Sequence, residues 1–97
     1  MLHNNKVDEC KDNNLMYDVW VTYWGMHLFL DLPKHHIEGG KFYIATDKDG
    51  EIYVYSKPVS LLACSHEANE AAYVFKLGES GDCLPVCWKD SLVEYKL

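Results

Sequence analysis

The chain has 97 residues, 48% hydrophobic and 13% aromatic, which is enough for one small folded domain and too apolar for a disordered chain. Nine lysines face fifteen Asp and Glu, there is no arginine, and the formal net charge is −6. Because arginine is the preferred side chain for phosphate and guanine contacts, and an acidic domain is repelled by a phosphate backbone, we expect no direct nucleic-acid binding and a protein partner with a basic groove.

The N-terminal residues, 1–14, are too polar to pack, and we interpret them as a flexible arm ahead of a single β-rich domain over 15–97. The start of the chain lacks the apolar stretch of a signal peptide. The longest apolar-leaning run, 17–32, is interrupted by polar residues and is too short to span a bilayer. We therefore expect no membrane contact, a cytoplasmic location and, because cytosolic thiols stay reduced, no disulfide framework for the four cysteines.

The first predicted strand is YDVWVTYW, residues 17–24, in which β-branched and aromatic residues alternate. Gly25 interrupts the pattern. The following MHLFLDL, residues 26–32, is either a second strand or the same strand continued past a bulge.

The clearest predicted element is a hairpin, in which two β-rich runs flank the turn Asp47-Lys48-Asp49-Gly50. A type I turn with Gly50 in a left-handed bulge pairs Ile44 with Val54. A two-residue turn at Asp49-Gly50 would shift the register by one. We prefer the first register because it places the aliphatic residues on one face of the hairpin. The opposite face then carries three tyrosines: Tyr43, Tyr53 and Tyr55.

Residues 60–72, SLLACSHEANEAA, contain enough Ala, Leu and Glu to predict a short helix. Further strands are predicted at AYVFKL, residues 72–77, and near the C-terminus. The predicted fold class is therefore β-rich α+β: a small twisted antiparallel sheet of about five strands with at most one short helix.

Four nitrogen and sulfur side chains could in principle hold a metal: Cys64, His66, Cys83 and Cys87. Their spacing is irregular compared with structural zinc sites, so we expect no metal, although the sequence leaves open whether the four converge. No phosphate-binding loop, nucleophile elbow or zinc-protease motif occurs in the chain. We therefore expect no catalytic residues and no cofactor.

Aromatic and acidic residues on and beside the hairpin are the best predicted interaction site, because tyrosine and tryptophan dominate interface hot spots. The residues we expect to contact a partner are Tyr43, Tyr53, Tyr55, Asp47, Asp49, Glu51 and Trp88. The alternative is that the tyrosine face is covered by Trp20, Trp24 or the predicted helix, and belongs to the interior.

Two pieces of the chain, FYIATDKDGEIYVYSKP (42–58) and WKDSLVE (88–94), resemble small uncharacterised accessory proteins of phages and prophages. The segment between them lacks the tryptophan of that pattern. The resemblance implies a phage-encoded inhibitor that acts in the host cytoplasm on a host or defence protein, of the anti-CRISPR or anti-restriction type. Its acidic surface would compete for a nucleic-acid-binding groove. The alternatives are a protein that sequesters a small nucleotide signal and a zinc-stabilised structural protein, and a homodimer is also open.

Overall fold

The computed structural model describes residues 4–81 and 84–97, which form ten strands and three 3-10 turns. The strands are β1 (Asn4–Lys6), β2 (Glu9–Asp12), β3 (Met16–Tyr23), β4 (Met26–Pro33), β5 (Lys41–Thr46), β6 (Glu51–Tyr55), β7 (Val59–Leu61), β8 (His66–Ala68), β9 (Val74–Glu79) and β10 (Val93–Lys96). The 3-10 turns occupy Lys34–His36, Glu38–Gly40 and Trp88–Asp90. No helix in these two ranges has the length and apolar character to cross a membrane. The predicted β-rich class, with a five-stranded and mostly antiparallel sheet, is confirmed.

The strands form three sheets. A five-stranded sheet has the order β1-β10-β5-β6-β9, a three-stranded sheet has the order β2-β3-β4, and β7 pairs with β8. Among these described strands every pair is antiparallel except β1 with β10. The strands β9 and β4 therefore each form one edge of their sheet.

The main hydrophobic core lies between the five-stranded and three-stranded sheets. Alternating residues of β3 and β4 face alternating residues of β5, β6 and β10, as the two-residue period of a strand requires. The buried members of this core are Val19, Val21, Tyr23, Leu30, Leu32, Ile37, Phe42, Ile44, Ile52, Val54, Val93 and Tyr95. Two tyrosine hydroxyls also tie the sheets together: that of Tyr95 donates to the Thr22 carbonyl at 2.7 Å, and that of Tyr23 lies 2.7 Å from Thr46 Oγ1.

The turn between β3 and β4 settles the alternative left open by the sequence. Tyr23 pairs with Met26, so only Trp24 and Gly25 form the turn. Both have positive φ, 46° and 84°, as in the tight two-residue turns that suit twisted hairpins. Residues 26–32 therefore belong to a second strand, β4, and do not continue β3.

The hairpin of β5 and β6 has the predicted register, with Ile44 opposite Val54. Gly50 has a φ of 89°, in the left-handed region that favours glycine, and its N–H donates to the Asp47 carbonyl at 2.9 Å. The aliphatic residues of the hairpin lie in the main core and the tyrosines lie on the opposite face, so the predicted sorting of faces is confirmed.

The N-terminal segment differs from the expected flexible arm, because residues 4–12 contribute two strands. β1 pairs with β10, and β2 pairs with β3. The chain crosses between the two sheets at Val7, which packs against the core, and the Asp8 N–H donates to the Trp20 carbonyl at 2.8 Å. Backbone pairing at a sheet edge needs few apolar side chains, which is why the polar composition carried no strand signal. Residues 1–3 lie outside the described part.

The prediction of a short helix over 60–72 is wrong. Most of a hairpin formed by β7 and β8 lies in this segment. Val59 pairs with Ala68, and both side chains pack against the tyrosine face of the five-stranded sheet. Tertiary contacts outweigh the modest helix propensity of this segment. The sequence left open that the tyrosine face is covered by Trp20, Trp24 or a helix. Part of that face is covered, but the cover is the hairpin of β7 and β8.

Candidate functional site

A pocket of about 460 Å³ lies where β6, the β7–β8 hairpin and the start of β9 meet. We call it the acidic pocket. The side chains that give it its chemical character are Asp47, Tyr53, Tyr55, His66, Glu67 and Glu70. Alanines and Val74 complete the lining, and no lysine occurs among the described residues of the wall.

Asp47 and His66 join the two hairpins at the base of the pocket. The His66 N–H donates to Asp47 Oδ1 at 2.8 Å, and Nδ1 of the ring lies 3.6 Å from the same oxygen. The neighbouring Lys48 N–H donates to the Cys64 carbonyl at 3.1 Å. The β5–β6 turn therefore holds the β7–β8 hairpin in place through a carboxylate and a backbone hydrogen bond.

The ring of His66 is almost fully enclosed, with its side chain 1% exposed, and neither ring nitrogen has a hydrogen-bond partner among the described residues. The ring packs edge-on against Trp88, with centroids 5.7 Å apart. Burial lowers the pKa of His66 and so favours the neutral ring. The negative charge of Asp47 acts in the opposite direction and offsets part of this effect. Both ring nitrogens are themselves enclosed, so the ring is part of the wall of the acidic pocket and exposes no acceptor to a ligand.

The carboxylates of the pocket differ in how far they are already neutralised. Glu67 is exposed and forms no ion pair with the described residues. Glu70 lies 3.6 Å from Lys57, but Lys57 also pairs with Glu38 at 2.7 Å. The pocket therefore keeps a net negative charge, with Glu67 as its freest carboxylate.

The three tyrosines predicted as an interaction platform have different environments. Tyr43 and Tyr55 are buried beneath β7, β8 and Leu92. Burial raises the pKa of Tyr55, whose hydroxyl donates to the His66 carbonyl at 3.4 Å. Tyr53 is half-buried, and its hydroxyl donates a hydrogen bond to Glu51 Oε1 at 3.0 Å. Tyr53 is thus the predicted tyrosine that a ligand in the acidic pocket can reach, and Tyr55 forms the floor.

The remaining predicted contact residues surround the pocket without opening into it. Asp49 accepts the Glu51 N–H at 3.0 Å and so stabilises the turn. Glu51 accepts a hydrogen bond from Lys76 at 2.6 Å, which lowers the pKa of Glu51. Trp88 is half-buried behind His66, on the side away from the acidic pocket.

The sequence interpretation did not single out Glu67, Glu70 or Val74, and it considered His66 only as a possible metal ligand. The expected helix over 60–72 would have placed Glu67 and Glu70 on a solvated surface. Only the pairing of β7 with β8 brings them beside Tyr53, so no local pattern in the sequence could have identified them.

The cysteines do not form a metal site within the described residues. Cys10, Cys64 and Cys87 are free and exposed, and residues 4–81 and 84–97 contain no group of three or more potential metal ligands. Cys83, one of the four side chains considered as ligands, lies outside the described residues.

Acidification is expected to destabilise the domain through His66. The folded state holds the pKa of this ring below its ordinary value of about 6.5, so the unfolded chain binds more protons as the pH falls through that value. The contribution of the neutral His66 ring to the free energy of unfolding is therefore fully present well above pH 6.5. It declines as the pH falls below that value, by at most about 1.4 kcal/mol per pH unit for one proton. Urea unfolding between pH 5 and 7.5 measures the slope. The His66→Gln variant should show a flatter slope of stability against pH. The control His35→Gln, on an exposed turn, should keep the slope of the wild type. Equal slopes in the wild type and both variants would contradict the assignment of the pH dependence to His66.

The chain matches no protein-family model, no curated protein and no solved structure.

Proposed function

We propose that this domain acts by binding a basic protein, with a lysine or arginine side chain of the partner entering the acidic pocket. The observation that carries the proposal is that three carboxylates and an accessible tyrosine line one cavity, with no lysine among the described residues of its wall.

A guanidinium or ammonium group fits the chemistry of this cavity. Glu67 can neutralise its charge, and the ring of Tyr53 offers a cation–π contact worth about 0.5–2 kcal/mol. A phosphate would be repelled by the same walls, which disfavours a nucleotide ligand.

We further propose that the partner is a nucleic-acid-binding host or defence protein whose basic groove the domain occupies. The net charge of −6 supports this, because an acidic domain and a basic groove attract over the Debye length of about 8 Å at physiological ionic strength. In this proposal the protein is a non-catalytic inhibitor encoded by a phage, and it works in the host cytoplasm.

A labelled hexa-arginine peptide tests the pocket directly by fluorescence anisotropy. We expect saturable binding that weakens as salt rises from 25 to 200 mM. Tyr53→Ala should cost about 2 kcal/mol if Tyr53 is a hot spot, or about thirtyfold in affinity. Glu67→Gln should weaken binding about threefold to fivefold, because a rim charge contributes about 1 kcal/mol or less. The matched control Glu9→Gln removes one charge from β2, outside the acidic pocket, and should have little effect.

Affinity that does not change with salt and is equal in the Tyr53, Glu67 and Glu9 variants would exclude the acidic pocket as the binding site. The inhibitor proposal has its own test, capture of partners from a bacterial lysate on the wild-type domain and on Glu67→Gln. The inhibitor proposal predicts that the wild-type domain captures a nucleic-acid-binding protein and that excess duplex DNA displaces this protein. The Glu67→Gln variant should capture less of it. Capture that DNA does not affect would contradict competition for a groove.

A further inference from the structure

The strand β9 has an open edge. Its described neighbour is β6 alone, so the opposite side of its backbone is unpaired within the described chain. The Ser56 N–H donates to the Tyr73 carbonyl at 3.0 Å, which makes these two residues a hydrogen-bonded pair. Because bonded and non-bonded pairs alternate along an antiparallel ladder, the next residue, Val74, and then Lys76 direct their N–H and C=O groups away from β6.

Successive residues of this edge line two different cavities. Ala72 and Val74 line the acidic pocket on one face of the sheet. Tyr73, Phe75 and Leu77 line a second cavity of about 300 Å³ on the other face. The alternation follows from the two-residue period of a strand, so one edge presents an acidic pocket and an apolar cavity at adjacent positions.

The second cavity, which we call the aromatic groove, lies between β9 and β4. Its other lining residues are apolar apart from one carboxylate: Met16, Phe29, Leu30, Val54 and Asp31. Phe75 is 57% exposed and Phe29 47% exposed, and Val74 on the edge itself is 46% exposed. Exposed apolar side chains that line one cavity, as Phe29 and Phe75 do, are typical of an interaction surface.

The charge that would normally protect such an edge is already engaged. A lysine on an edge strand discourages pairing with another chain. Here the ammonium group of Lys76 is held by Glu51 at 2.6 Å, on the face of its own sheet. The edge at Val74 and Phe75 carries no charged side chain.

We propose that the basic partner binds as an extended strand added to β9, with basic residues entering the acidic pocket and the alternate, apolar residues entering the aromatic groove. This inference rests on the proposed function and specifies the form of its partner segment. In strand addition the main-chain bonds provide affinity and the pockets for alternate side chains provide specificity. The carboxylates of the pocket and the net charge of −6 select a basic segment as the occupant over a second copy of this acidic chain.

Two capped eight-residue peptides of identical composition provide the test. One alternates arginine with valine, and the other has four arginines followed by four valines. Strand addition predicts that the alternating peptide binds at least about tenfold more tightly, since only it can fill both cavities from one strand. Its binding should also slow amide hydrogen exchange at Val74 and Lys76, the two residues whose N–H groups face the open edge.

The Val74→Pro variant removes the outward N–H without removing a bond to β6, and proline is tolerated at such edge positions. It should weaken the alternating peptide at least about tenfold more than it weakens the block peptide and hexa-arginine, because only the alternating peptide needs the outward N–H. Val74→Thr, which keeps the N–H and the side-chain shape, is the matched control and should bind like the wild type. Circular dichroism and thermal unfolding confirm that both variants are folded.

The outcomes separate the two proposals. Equal binding of both peptides and of both Val74 variants, with Glu67→Gln still weakening hexa-arginine, would overturn strand addition and leave the acidic pocket in place. Binding that depends on Val74 but not on Glu67 or salt would overturn the cation pocket while supporting an edge that pairs with other strands. Absence of binding by all three peptides would overturn both.

Discussion

Replacing Tyr95 with alanine is expected to remove about 3–5 kcal/mol of folding stability, the usual cost of deleting a buried aromatic ring. Tyr95 is fully buried on β10, and its ring stacks on Phe42 with centroids 5.2 Å apart. A domain of this size has a total stability of only about 5–15 kcal/mol, so the substitution removes a large fraction of it. Thermal unfolding should show a midpoint at least about 12 °C lower than that of the wild type.

The conservative variant Tyr95→Phe separates packing from hydrogen bonding at this position. It keeps the ring and removes the hydroxyl that donates to the Thr22 carbonyl across the two sheets. We expect a loss of about 1 kcal/mol, as for a typical intramolecular hydrogen bond. If Tyr95→Phe were as damaging as Tyr95→Ala, the hydroxyl and not the ring would be the main stabilising group.

Replacing Asp47 with alanine is expected to cost about 2–3 kcal/mol, because hydrogen bonds to charged groups contribute about 1.5–3 kcal/mol. The carboxylate of Asp47 holds the N–H of His66 and so ties β8 to the β5–β6 turn. Its loss leaves that backbone N–H without an acceptor at the base of the acidic pocket. Chemical denaturation should report the loss of stability, and amide hydrogen exchange should accelerate at His66 before it does in the main core.

Two substitutions serve as controls for Asp47. Asp47→Asn retains an acceptor oxygen and should cost about 1 kcal/mol or less. Asp49→Ala removes another carboxylate from the same turn, one whose sole hydrogen-bond donor among the described residues is the Glu51 N–H, and should also cost about 1 kcal/mol or less. Equal destabilisation by Asp47→Asn and Asp47→Ala would show that the negative charge, and not the acceptor oxygen, holds β8.

The acidic pocket was only half predictable from the sequence. Asp47, Tyr53 and Tyr55 belong to a hairpin whose turn chemistry and alternation are local, and all three line the pocket. The same pattern could not show that Tyr43 and Tyr55 are buried, because the segment that covers them, β7 and β8, has the composition of a short helix and no strand pattern of its own. Glu51, also predicted as a partner contact, is held instead by Lys76, a residue of β9.

Local sequence patterns were sufficient for the β-rich class, the β5–β6 register and the division of that hairpin into an aliphatic and a tyrosine face. Those features depend on side-chain alternation and on a glycine at positive φ, which act within a few residues. The tertiary structure alone decided that residues 4–12 pair at sheet edges, that 60–72 forms a hairpin in place of a helix, and that Glu67 and His66 line the same pocket as Tyr53. Each of these depends on backbone bonds or burial between distant segments, whose free energy exceeds the weak local preferences of the residues involved.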